Sequence, residues 1–230
     1  MKQKIKTIGI IGGFGPEATA DFYLALIREC KKLGLPHQPH IIMWNVAVPK
    51  KFETDLLLHG KGQERFKPLL VDAAIHLERM GVDTIVLPCN TLHIFADDIQ
   101  RSIKIPFVNI IKTVLKTLKT KNIRKIGLLG TLITINNNLF KSTHETKFIL
   151  PNRVLQTQLD MGFHQRVVHG TSEKLHDSVK RIINTFEKQN IHDVLLASTD
   201  LHDSCSNRSN LRILDTLEIL AKRTARLFFA

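Results

Sequence analysis

The chain has 230 residues, with 33 Lys and Arg against 21 Asp and Glu and a formal net charge of +12 at pH 7, and is long enough for one large domain or two small ones, each with a core. No apolar run approaches the ~20 residues of a membrane span, and the apolar stretch at residues 8–11 is too short for a signal peptide, so a cytoplasmic protein with no membrane partner is expected. The positive charge is dispersed, and one Trp and one Tyr offer little surface for base stacking, so it reads as a solvated face or an attraction for small anionic substrates, and no nucleic-acid partner is expected.

In chain order, residues 5–11 form an apolar run that ends in the loop Gly12-Gly13-Phe14-Gly15-Pro16. Residues 13–18 satisfy G-x-G-x-x-A after a strand, the pattern of a dinucleotide site. That site wants an acidic residue about 20 positions on, whereas the second strand, residues 41–46, carries Trp44 and Asn45 near its end. Pro16 also removes an amide that could face a pyrophosphate. The loop is read as a nest of backbone N–H groups for a carboxylate, at the start of a helix opened by Pro16-Glu17.

Phe66, Leu69, Leu70, Ala73, Ala74 and Leu77 share one face of a second helix, which stops at Gly81. Residues 84–87, 106–110, 125–129 and 193–196 are short apolar runs ending in Gly, Pro, Asn or Ser, as buried parallel strands do. Lys112, Lys116 and Lys119 fall on one exposed helix face, and Asp215 with Glu218 forms a capping pair for the last helix. The order predicts α/β architecture with parallel sheets. Three cysteines, Cys30, Cys89 and Cys205, have no CxxC or Cys/His ligand spacing, so neither a disulfide framework nor a metal site is expected.

Two motifs recur in the same order. TIGIIGG from Thr7 is echoed by KIGLLGT from Lys125, and LPCNTLH from Leu87 by LASTDLH from Leu196, which aligns Cys89 with Ser198. Two similar halves are therefore expected, divided near residues 113–124, with Cys89 and Ser198 at the carboxyl ends of equivalent strands, where ligands bind in such sheets. The polar company of Cys89, namely Asn90, Thr91 and His93, would be costly in a core and points to a functional thiol, whose place at a helix entry predicts a lowered pKa.

GIIGGFGP, LPCNTLH, GLLGTLIT and ILDTLEILA, in this order over essentially the whole chain, resemble the signature segments of the aspartate/glutamate racemase family. The resemblance implies two pseudosymmetric flavodoxin-like domains, 1–113 with 208–230 and 114–207, and no cofactor. It implies a small-molecule substrate, an acidic amino acid or dicarboxylate, and leaves a homodimer open. One cysteine of that family removes the α-proton and a second protonates the opposite face. Cys89 matches the first as catalytic residue, and Ser198 stands where the second would be. Lys51 stands where aspartate racemases place a carboxylate-binding arginine, and Thr131 and Thr134 match threonines beside the substrate. Gly12, Gly13, Asn45, Asn90, Thr91 and Thr199 complete the expected binding residues.

Ala197 to Leu201 reads ASTDL where the family has GCTEL, so Asp200 replaces a glutamate, and Asn137 and Phe140 stand where many members have Ser and Tyr. An unassisted hydroxyl is too weak an acid to exchange proton roles near neutral pH. Racemisation of an acidic amino acid therefore stands beside two alternatives: a one-thiol enzyme of the same fold, such as a decarboxylase or isomerase, and a silent amino-acid-binding protein. Cys205 is a displaced thiol that could serve instead.

Overall fold

The computed structural model describes residues 6–141, 146–204 and 211–228. The first half runs β1 (Thr7–Gly12), α1 (Pro16–Lys32), β2 (His40–Asn45), α2 (Lys50–His59), α3 (Phe66–Arg79), β3 (Thr84–Val86), α4 (Ala96–Ser102) and β4 (Phe107–Val108). The second runs α5 (Ile110–Thr120), β5 (Lys125–Leu129), α6 (Leu132–Asn136), β6 (Lys147–Ile149), α7 (Arg153–His169), α8 (Glu173–Lys188), β7 (Asp193–Leu196), β8 (Arg212–Asp215) and α9 (Thr216–Ala225). Among the described residues two four-stranded sheets result, ordered β2-β1-β3-β4 and β6-β5-β7-β8, with every pairing parallel. The two orders are the same under a shift of four strands, so the echoed motifs occupy equivalent strands: β1 with β5, and β3 with β7.

The central strands are buried on both faces because their Ile, Leu and Val side chains meet helices on each side. Gly127 in β5 allows one of these contacts, since a Cβ there would stand 2.5 Å from the Phe186 ring of α8. Each sheet has its own core, and a third cluster joins them: Ile8, Ile10 and Phe22 of the first half pack with Ile126, Leu195, Leu217 and Leu220. The helices α1, α5 and α9 form that joint, and α2 packs on α7 across the halves.

Dividing the chain into 1–113 with 208–230 and 114–207 assigns β8 to the first part, yet β8 pairs with β7 in the second sheet. It is α9 that returns to pack against α1 and α5. Asp215 caps α9 by accepting from the Leu217 amide at 2.7 Å. Among the described residues no helix is long and apolar enough to cross a membrane.

Candidate functional site

The strands β3 and β7 end side by side, and the loops that follow them are hydrogen-bonded to each other. After β3, the chain turns through Leu87-Pro88-Cys89 into a 3₁₀ turn at Thr91–Phe95. The Thr199 hydroxyl donates to the Pro88 carbonyl at 2.9 Å, and Asn90 Nδ2 donates to Thr216 Oγ1 at 2.8 Å, which in turn donates to the Leu196 carbonyl at 2.9 Å. The loop after β7 thus holds the backbone of the loop after β3, and Asn90 ties that loop to the start of α9.

Cys89 is braced from behind by His93. The Ile110 amide donates to His93 Nε2 at 3.1 Å, so Nε2 is unprotonated and Nδ1 donates to the Cys89 carbonyl at 2.6 Å. The ring is buried and stacks on Phe107 with centroids 5.4 Å apart. Burial holds it neutral, pushing its pKa down to about 4.

In front of Cys89 lies a small cavity. Its walls are Phe14, Gly15 and Phe66, the α2 residues Glu53, Leu56 and Leu57, then Thr91, Leu92, Thr131, Val167 of α7, and Asp200. Thr91, Thr131 and Thr134 form a triangle of hydroxyls with Oγ1–Oγ1 separations of 2.9, 3.1 and 3.5 Å. Thr131 also caps α6 by accepting from the Thr134 amide. The Asp160 carboxylate of α7 accepts from the Leu132 amide at 3.1 Å and from Gln156, whose Nε2 also donates to the Gly130 carbonyl, and this fixes the threonine loop from below.

Ser198 is buried, and its hydroxyl donates to Asp200 Oδ2 at 3.2 Å. Asp200 rather than Ser198 reaches the cavity wall. Arg166 of α7, also buried, approaches Asp200 closely enough to favour its charge, while its Nη1 donates to both carboxylate oxygens of Asp203 at 2.9 Å.

The electrostatics of this wall are acidic. Burial pushes the Asp200 carboxyl up to about 6, with Arg166 opposing and Glu17 adding to the rise. Burial, reinforced by Asp200 and Glu17, pushes Glu53 up to about 7. The thiol of Cys89 follows the same logic. Although it borders the cavity and keeps some accessible surface, the surrounding protein pushes it up to about 12, with Asp200 and Glu53 adding to the rise against hydrogen bonds from the Leu92 and Thr91 amides. The lowered pKa expected from a helix entry is therefore corrected: two amides reach the sulfur, but the lost hydration and the neighbouring carboxylates outweigh them.

Of the residues expected at the site, Cys89, Thr91 and Thr131 line the cavity. Thr134 stands behind Thr131, while Thr199 locks the two loops together and Asn90 ties the Cys89 loop to the start of α9. Gly12 and Gly13 are buried and outside the cavity wall, with Gly13 at φ +92° against the backbone of Val46. Asn45 and Lys51 are exposed and outside the cavity wall. His202 bonds to Asp215 at 2.6 Å instead of facing the cavity, and Cys205 lies outside the described residues. Glu53, Asp200 and Arg166 were not among the residues expected at the site. Among the described residues no group of three or more His, Cys, Asp or Glu is placed to hold a metal ion.

Residues 11–224 match the family model described as Asp/Glu/Hydantoin racemase. The broad specificity amino-acid racemase RacX of Bacillus subtilis (strain 168) is 26% identical, over 97% of this chain and 98% of its own length. The structure of an aspartate racemase homologue, PH1733 from Pyrococcus horikoshii OT3, superposes with a TM-score of 0.77 at 26% identity, covering 98% of this chain and 100% of that one. Picrophilus torridus aspartate racemase shares the fold at a TM-score of 0.78 and 21% identity, over 97% and 98% of the two chains. With the family match spanning both sheets and both strand-end loops, the chain belongs to the Asp/Glu/hydantoin racemase family.

Proposed function

We propose that this protein is a cofactor-independent amino-acid racemase of the cytoplasm, in which Cys89 exchanges the α-proton of a free amino acid. The observation that carries the reading is the placement of Cys89. It is a thiol on the wall of a cavity between two matching halves, with the amides of Thr91 and Leu92 directed at its sulfur. The hydroxyls of Thr91 and Thr131 on the same wall offer donors to a substrate carboxylate.

The raised thiol suits a group that rests protonated and yields its proton to a carbanion. Binding a substrate ammonium would offset the carboxylates of Asp200 and Glu53 and bring the thiolate within reach. Lys51 and the glycine loop remain our proposal for an approaching acidic amino acid, with Lys51 at the rim.

One observation favours a second reading of the substrate. Among the described residues the cavity wall carries Glu53 and Asp200 and no Lys, Arg or His side chain. A second substrate carboxylate inside it would meet like charge, whereas an uncharged or cationic side chain would not. The broad specificity of the Bacillus subtilis relative agrees with substrates beyond aspartate and glutamate.

Incubation with single enantiomers of acidic, neutral and basic amino acids, followed by chiral chromatography, tests both points. Formation of the opposite enantiomer by the wild type and its loss in Cys89→Ala supports the reading. Binding without inversion would make the protein a sensor or carrier, and conversion to a decarboxylated or isomerised product would make it a one-thiol enzyme.

A further inference from the structure

We infer that Asp200, with Ser198 as its hydrogen-bonding support, is the second acid/base group of this site, acting on the face of the α-carbon opposite Cys89. The inference rests on the racemase reading above. Three features of the geometry carry it. Asp200 lines the same cavity as Cys89, and Ser198 does not. The Ser198 hydroxyl is committed as a donor to Asp200 Oδ2, which makes it a positioning residue. The other carboxylate oxygen, Oδ1, is buried and has no hydrogen-bond partner among the described residues.

An orphaned carboxylate oxygen in a closed site costs free energy unless something else uses it. The space beside it is kept open by Gly15, where a Cβ would come 2.9 Å from Oδ1 and where φ is +87°. The groups that face Asp200 are Arg166 from α7, Glu17 from α1, Glu53 from α2 and Cys89 from the loop after β3. Their balance leaves the carboxyl at about 6, close to the working pH that acid-base catalysis requires. The problem posed by a serine opposite Cys89 disappears, because the serine is not called on to transfer a proton: its hydroxyl stays donated to Asp200.

The protons and electrons balance without a further reactant. The Asp200 carboxylate takes the α-proton of one enantiomer, forming O–H as the Cα–H bond breaks. The electron pair passes to the α-carbon and spreads into the substrate carboxylate. The Cys89 thiol then gives its proton to the opposite face, which leaves the thiolate and completes the inverted product. The other enantiomer runs the same steps in reverse, from a thiolate and a protonated Asp200. After product leaves, water returns the site to its resting form, with the proton on Cys89 and Asp200 ionised.

The test is Asp200→Asn, Asp200→Glu and Ser198→Ala beside the wild type, with an amino acid that the wild type racemises, in deuterated water. Asp200→Asn should lose racemisation by about 100-fold or more while still exchanging, without inversion, the α-proton that faces Cys89. Asp200→Glu should recover part of the rate. Ser198→Ala should keep racemisation within about tenfold and move the acidic limb of the kcat/KM profile to higher pH, since it removes a bond that favours the ionised carboxyl. Asp200→Asn within threefold of the wild type would overturn the inference and leave the racemase reading intact. So would an inactive, folded Ser198→Ala. If Asp200→Asn does not fold, the direction of the Ser198→Ala shift decides. A wild type that exchanges no α-proton with any amino acid would overturn the racemase reading itself.

Discussion

His93 ties the reactive loop to the fold, and its neutrality can be measured. It is buried, its Nε2 accepts from the Ile110 amide, its Nδ1 donates to the Cys89 carbonyl, and its pKa falls from 6.5 to about 4. A group whose folded pKa is depressed in this way binds its proton more readily when unfolded. The stability it contributes is present above pH 6.5 and is lost as pH falls towards 4. Linkage with these two values gives a loss of about 2 kcal/mol by pH 5 and about 3 kcal/mol by pH 4. In His93→Gln the side chain never titrates, can still accept from Ile110, and gives up the Nδ1 bond, at a cost of about 1 to 2 kcal/mol. Urea denaturation at pH 7.5 should therefore find the wild type more stable by that amount. At pH 5 the difference should vanish or reverse, and comparing the two proteins at each pH cancels the titration of distant carboxylates. A wild-type advantage that stays constant from pH 7.5 to pH 5 would refute the claim that His93 is held neutral.

Two further changes test the frame of the site. Gly13→Ala would place a Cβ 2.2 Å from the Val46 carbonyl oxygen at φ +92°, so it should cost more than about 2 kcal/mol, and an unchanged melting temperature would contradict the close approach of the chain after β1 to the chain after β2. Glu53 has its folded pKa raised to about 7, so its contribution is complete below about 4.5 and lost as pH rises through 7. Glu53→Gln should accordingly stabilise the protein at pH 8 by about 1 to 2 kcal/mol after allowance for partial exposure, with no gain at pH 4, and a calorimetric melt at the two pH values would expose the opposite trend.

The central strands were legible because burial on both faces leaves near-continuous Ile, Leu and Val, as in β1, β3, β5 and β7. The edge strands β6 and β8 were not, since KFI and RILD mix charge with apolar residues at the margin of a sheet. The helix α7 was hidden for another reason. It buries Gln156, Asp160 and Arg166 among its apolar residues, which erases the amphipathic stripe that marks a helix in sequence. Those same polar residues hold the threonine loop and oppose the charge of Asp203. At the site, Cys89 and Thr91 could be read from a polar run that follows a strand, and Thr131 came from the family resemblance. Glu53 could not, because two positions along a helix turn the chain by about 200°, so an inward Glu53 sits beside an outward Lys51 with no local sign of which faces the ligand. The partnership of Asp200 with Cys89 joins loops from opposite halves, and only folding brings it about.

The most direct test of the account is proton NMR of free amino acids in deuterated water with the wild type and Cys89→Ala at pH 7.5. The wild type should replace the α-proton of at least one amino acid with deuterium while both enantiomers accumulate, and Cys89→Ala, folded and still binding that amino acid, should leave the two-sided exchange undetectable. Full racemisation by Cys89→Ala, or a wild type that binds amino acids and exchanges none of their α-protons, would contradict it.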